Sequence, residues 1–142
     1  MSAHEDIRRL VAMCAQRIDD RDVEGYVALF TPTGRLVTRS REFIGHDAIR
    51  QCMAGGWAAA APGSKTKHLV GESAIRVDKD TATAVTDVIA FQCLEEGGWQ
   101  ILLAGRYGDE LIRHEGEWRF ADRSISVDAF LHSRFEGSVI QG

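Results

Sequence analysis

The stretch RIDDRDVEGYVALF, residues 17–30, sets three carboxylates, Asp19, Asp20 and Asp22, between two apolar helical patterns. A carboxylate there can solvate a turn, cap the next helix, or face inward and assist a base. Imidazole is the natural partner, because it gains and loses its proton near physiological pH. The chain has five histidines. His4 lies at the chain start, His46 at a helix start, His114 beside a turn and His132 in a polar tail. His68, in KTKHLVGES, opens a strand-like run. Two readings stay open for it: a strand histidine with a backbone partner, or a base in a pocket. No metal is expected, since no second His or Cys stands at ligand spacing. Arg123, in WRFADRSISVD, shares a strand face with Arg119, Ala121, Ile125 and Val127. It is either a salt-bridge partner or a group that orients a substrate oxygen.

A helical wheel sorts the aspartates. Ile7, Val11, Cys14 and Ile18 cluster on one side, and Asp20 points nearly opposite, towards solvent. Asp22 suits the N-cap of the following helix. Asp19 falls at the flank of the apolar stripe beside Ala15, where both a solvated helix end and an inward carboxylate fit the spacing.

These side chains need elements to hold them. Ile7, Leu10, Val11, Cys14 and Ile18 recur at helical spacing, which predicts an amphipathic helix over residues 3–19. A second short helix carries Val23, Tyr26, Val27 and Phe30, and Thr31-Pro32-Thr33-Gly34 is turn chemistry that stops it. Residues 35–40 read as a strand, and Gly45-His46-Asp47 opens a third helix that runs to about Ala60, before Pro62-Gly63. Residues 66–77, 81–94, 99–113 and 117–127 are then rich in Val, Ile, Thr and aromatics, with short turns between them. Short connections between long strands predict antiparallel hairpins. Helices first and a meander afterwards make an α+β domain whose helices cover one face of a curved sheet, with space between for a small ligand.

Bulk properties bound the function. A chain of 142 residues fits one domain, here 1–142, and 44% apolar with 27% charged residues describes a soluble globular protein. A net charge of −4 without a basic cluster argues against nucleic acid or an anionic membrane as partner. MSAHEDIRR lacks the apolar core of a signal peptide, and no segment approaches membrane-spanning length. Cys14, Cys52 and Cys93 are odd in number and far apart, as expected of reduced thiols in the cytoplasm.

Taken together, the motifs resemble the SnoaL-like families. The pattern comprises IR-x-L in an opening helix, D-x-x-D, an apolar run to Leu-Phe, Gly before a helix starting DAIR, and a histidine on the next strand. GRYGDELIRHEGEWRFADRSISVD is similar to their closing hairpin, and the likeness spans Ile7 to Asp128. It implies the cone-shaped α+β barrel of nuclear transport factor 2, with three N-terminal helices on a strongly curved, mostly antiparallel sheet. Scytalone dehydratases, bile-acid dehydratases and hexachlorocyclohexane dehydrochlorinase are similar to this subgroup.

The resemblance implies Asp19 and His68 as the catalytic pair, Arg123 as a pocket arginine and Tyr107 as an aromatic wall residue. Phe43, Trp57, Val70, Val88 and Ala90 are plausible walls for a hydrophobic polyketide-, aromatic- or steroid-like substrate. Departures are visible: Cys14 stands where some relatives carry Tyr or Lys, and Ile18 replaces a tyrosine. Gln92 stands near the place of scytalone dehydratase's second pocket histidine, and it can donate a hydrogen bond but not a proton at neutral pH. The base is kept while the acid is altered, so the expected activity is that of a lyase (dehydratase) or cyclase with a substrate of its own. No cofactor and no metal are implied, and a homo-oligomer, dimer before trimer, is the expected assembly. A non-catalytic ligand-binding protein and the small subunit of a ring-hydroxylating oxygenase are the alternatives. The Asp-Arg-Asp design of epoxide hydrolysis fits less well, because histidine takes the central place. Asp87 leaves open which face of residues 85–91 lines the cavity; the resemblance puts Thr86, Val88 and Ala90 inside.

Overall fold

The computed structural model describes residues 2–38, 41–58, 60, 62–131 and 140–141. Helix α1 is Ala3–Asp19. Ser2 and Glu5 form a capping box: the Ser2 hydroxyl accepts from the Glu5 amide at 3.2 Å, and Glu5 accepts from the Ser2 amide at 2.8 Å. Its buried face is Ile7, Leu10, Val11, Cys14 and Ala15. Arg21, in the left-handed region at φ 54°, turns the chain out of the helix just after Asp20. Asp22 then caps α2, Val23–Val27, by accepting from the Gly25 amide at 2.9 Å. The third helix, α3, is His46–Ala58.

The strands are β1 Phe30–Thr38, β2 Arg41–Ile44, β3 Lys65–Val70, β4 Ala74–Asp78, β5 Thr81–Cys93, β6 Trp99–His114, β7 Glu117–Leu131 and β8 Ile140–Gln141. They form one sheet in the order β2-β1-β7-β6-β5-β3, with β4 also on β5 and β8 on β7. All pairs are antiparallel except β1 with β7. The sheet is therefore curved and open rather than a closed barrel. Register shifts at Ala90/Phe91, Ala104/Gly105 and Glu110/Leu111 supply bends along the long strands.

Four sequence expectations change. Phe30, expected on the second helix, opens β1 instead. Thr31-Pro32-Thr33-Gly34 lies inside β1, in an irregular stretch between the Phe30 and Arg35 pairings, where Pro32 has no regular rung to break. Residues 41–44 add a hairpin strand that short polar segments conceal. The run 66–77 is two strands, both paired to β5 and separated at Gly71-Glu72-Ser73. Residues 39–40 of the expected 35–40 strand, and residue 59 of the expected third helix, lie outside the described residues.

Burial on β5 alternates strictly and settles the inner face: Ala82, Ala84, Thr86, Val88 and Ala90 are buried. Cross-strand partners share a face in an antiparallel ladder. His68 and Val70 on β3, Tyr107, Asp109 and Leu111 on β6, and Ile125, Arg123 and Phe120 on β7 therefore face the same way. The α1 stripe packs there with Ala82, Ala84, Leu111 and Phe120 in the main core. Asp87, on the outer face, is exposed and pairs with Arg106 at 2.6 Å.

Candidate active site

Helix α1 ends over the edge strand β3, and this brings Asp19 to His68. Asp19 Oδ1 lies 2.7 Å from His68 Nδ1, and Oδ2 accepts the His68 backbone N–H at 2.9 Å. One carboxylate thus holds both the ring and the main chain of one residue. Thr66 Oγ1 donates to Oδ1 at 3.2 Å. Thr66 and His68 reach the same group because residues i and i+2 of a strand share a face. Each dyad side chain keeps 12% of its surface accessible. An ionised carboxylate accepts and cannot donate, so Nδ1 carries the hydrogen and Nε2 presents its lone pair. Nε2 makes no hydrogen bond among the described residues. Asp20 is exposed and Asp22 serves its cap, so the three neighbouring aspartates have three different fates.

Arg123 is placed differently from a substrate contact. It is 1% exposed, and it forms a two-pronged pair with Asp109, Nε to Oδ1 at 2.7 Å and Nη2 to Oδ2 at 2.8 Å. Its third donor, Nη1, points at Cys14 Sγ at 2.8 Å. The guanidinium lies 3.9 Å from the Tyr107 ring centre and 4.3 Å from that of Phe120. Burial works against its charge, but Cys14 and the Asp109 carboxylate more than offset this and raise its pKa. All three guanidinium nitrogens are thus engaged and two aromatic rings pack against the group, which is 1% exposed. Burial pushes the Cys14 thiol up to about 11 against the pull of Arg123, so Cys14 is a neutral packing group on the α1 face. Tyr107 is buried, and burial raises its phenol well above the ordinary value.

The expected wall residues divide by depth. Val88, Ala90 and Tyr107 are buried on the inner face, two of them in line with His68: Ala90 is its β5 partner, and Val88 is the partner of Val70. Val70, Gln92, Phe43 and Trp57 are half-buried, and Gln92 faces Thr66 across the ladder. Phe43 borders a separate hollow of about 600 Å³ with Arg41, Gln51 and Cys52. On the outer side of the dyad lies a hollow of about 550 Å³, lined by Asp19, Asp20, Arg21, Lys65, Thr66 and Lys67 among others.

The histidines set aside from the sequence stand apart from the dyad. His46 donates from Nε2 to the Phe30 carbonyl at 3.0 Å, a structural bond. His132 lies outside the described residues. Sequence reasoning missed Thr66, whose signal was its position two residues before His68, and Asp109, which comes opposite Arg123 only through the register shift at Glu110/Leu111. No group of three or more His, Cys, Asp or Glu among the described residues is arranged to hold a metal ion.

The helix-covered curved sheet defines a class of fold, and comparison with known proteins agrees. Residues 1–124 match the SnoaL-like domain, and the chain belongs to that family. Among solved structures it is similar to a nuclear transport factor 2-like protein with a cystatin-like fold from Novosphingobium aromaticivorans, at 25% identity, 87% of this chain, 80% of that chain and a TM-score of 0.76. A candidate scytalone dehydratase from the same organism shares the fold at 22% identity, 87% and 82% coverage and a TM-score of 0.74. So does the beta subunit of a candidate aromatic-ring-hydroxylating dioxygenase, again from that organism, at 21% identity, 89% of each chain and a TM-score of 0.76. No functionally curated protein matches the chain.

Proposed function

We propose that the protein is a cofactor-independent lyase, of dehydratase or cyclase type, acting on a hydrophobic polyketide-, aromatic- or steroid-like small molecule. The carrying observation is the 2.7 Å contact between Asp19 Oδ1 and His68 Nδ1, with a second bond from Asp19 to the His68 backbone. That arrangement fixes ring and tautomer and turns Nε2 into a base. Nε2 takes a proton from carbon next to a carbonyl, or from carbon neighbouring a leaving group. Asp19 stabilises the imidazolium that results. The electron pair left on carbon expels a β-hydroxyl as water, with the proton returned from Nε2, or closes a ring onto an electrophilic carbon. Gln92, half-buried across the ladder from Thr66, is a neutral donor for the developing oxyanion on that part of the inner face. Arg123 acts at a distance, by holding Tyr107 and α1.

No helix among the described residues is long and apolar enough to cross a membrane. Three free cysteines, Cys14, Cys52 and Cys93, support the reading of a reducing, cytoplasmic setting. The likeness to an oxygenase beta subunit favours a second reading, an assembly module that keeps the fold without using the dyad. The test is a panel of hydrophobic β-hydroxycarbonyl compounds incubated in D₂O with the wild type and with His68→Ala. Water loss or deuterium uptake next to the carbonyl, abolished in His68→Ala, is expected. Binding without either reaction, or copurification with a large partner subunit, would contradict the proposal.

A further inference from the structure

We infer that Thr66 is a positioning residue that keeps the Asp19 carboxylate turned towards His68 and away from the solvent-filled hollow on its other side. The inference rests on the His68–Asp19 base reading and adds a residue to it. Asp19 and Thr66 line both environments: the inner face, where Oδ1 meets His68 Nδ1, and the hollow of about 550 Å³. That hollow also holds Arg21, Lys65 and Lys67, three cations able to attract a carboxylate that swings outward. We take rotation of the Asp19 side chain towards these cations as the orientation that competes with the inward one. The Asp19 carboxylate has three donors in its inward orientation, and two of them belong to His68. The His68 backbone N–H holds Oδ2, and of the two donors to Oδ1, the oxygen that sets the tautomer, Thr66 Oγ1 is the one outside the ring. A hydrogen bond to a charged group shifts such an equilibrium by about 10-fold or more. Without the hydroxyl the carboxylate spends more time in the hollow, and the imidazole loses its orientation whenever it does.

The experiment uses the full ¹⁵N-labelled chain at rest, without substrate, and measures solvent exchange of the His68 Nδ1–H by NMR. In the wild type this hydrogen should be protected, because leaving requires the dyad to open. Thr66→Val, which keeps the shape and removes the donor, should exchange on the order of 10-fold faster. Thr66→Ala should do the same, which guards against a folding defect peculiar to the valine. Thr66→Ser should stay near the wild-type rate. An unchanged exchange rate in folded Thr66→Val or Thr66→Ala would overturn the inference, as would a wild type with no protected Nδ1–H, or a serine variant that behaves like valine. Since no substrate enters the measurement, it can fail while His68→Ala still abolishes turnover. It can equally succeed in a protein that turns nothing over.

Discussion

The two oxygens of Asp19 perform different tasks. Oδ2 ties the end of α1 to the β3 backbone, and Oδ1 sets the histidine ring. Replacing Asp19 by Asn keeps the shape but offers an amide that can present N–H to Nδ1 and select the opposite tautomer. At the same scale, Cys14 makes a pH prediction. Its folded-state pKa of about 11 lies above the ordinary 9.0, so the folded chain holds this proton more tightly than the unfolded one. The contribution is complete below pH 9 and is lost as pH rises towards 11. The difference is worth on the order of 3 kcal/mol. Urea titrations at pH 8 and pH 10.5 should show the wild type losing more stability over that interval than Cys14→Ser. Equal losses would mean that the thiol is not shielded from solvent.

Elements carry the buried charge. The Arg123–Asp109 pair joins β7 to β6, and the Arg123–Cys14 contact joins both to α1. Asp109→Asn should cost about 3–5 kcal/mol, because it leaves a buried guanidinium without its counter-charge, while Arg123→Met with Asp109→Leu should cost less than the single change. Chemical denaturation decides it: if the double variant is the less stable, the pair itself is a net stabiliser. Gly105 is a backbone case, since a Cβ there would collide with the Ser126 carbonyl at the β6–β7 bulge. Gly105→Ala should lower the denaturation midpoint clearly, whereas Gly55→Ala, with open space around its Cβ position, should not.

How far these elements could be read in advance follows from the range of their signals. The first helix was legible end to end, because its apolar period and terminating aspartates are local. The hairpin meander was legible for the same reason. The 41–44 strand and the break in 66–77 depend on pairing with distant residues, and composition does not encode that. Arg123 illustrates the same limit at the site. Strict alternation groups Arg123 correctly with Ile125 and Val127 but also with Arg119 and Ala121, whereas the register shift at Glu110/Leu111 brings Phe120 to its face; the bidentate partner lies 14 positions away across a hairpin, and only the register shows it. Asp19 and His68 are 49 positions apart and were linked by resemblance, not by spacing.

For the whole molecule, the helices cover one sheet face and leave the other. Leu69, Val85, Ile89, Ile101 and Trp99 are exposed on the outer face, where Leu69 and Ile89 are ladder partners. An apolar surface of this kind calls for a second copy, and a homodimer is the expected assembly, with a trimer as the next possibility. Sedimentation should show Ile89→Glu shifting the protein to monomer, and a wild-type monomer at micromolar concentration would refute the expectation. The central claim is that one aspartate among three neighbours works with His68, and one measurement addresses it directly: turnover of the same substrate by Asp19→Asn, Asp20→Asn and Asp22→Asn beside His68→Ala. Asp19→Asn and His68→Ala should each lose on the order of 10²–10⁴-fold in rate, while Asp20→Asn and Asp22→Asn stay near the wild type. Equal rates for all three asparagine variants, or full activity in His68→Ala, would contradict the dyad.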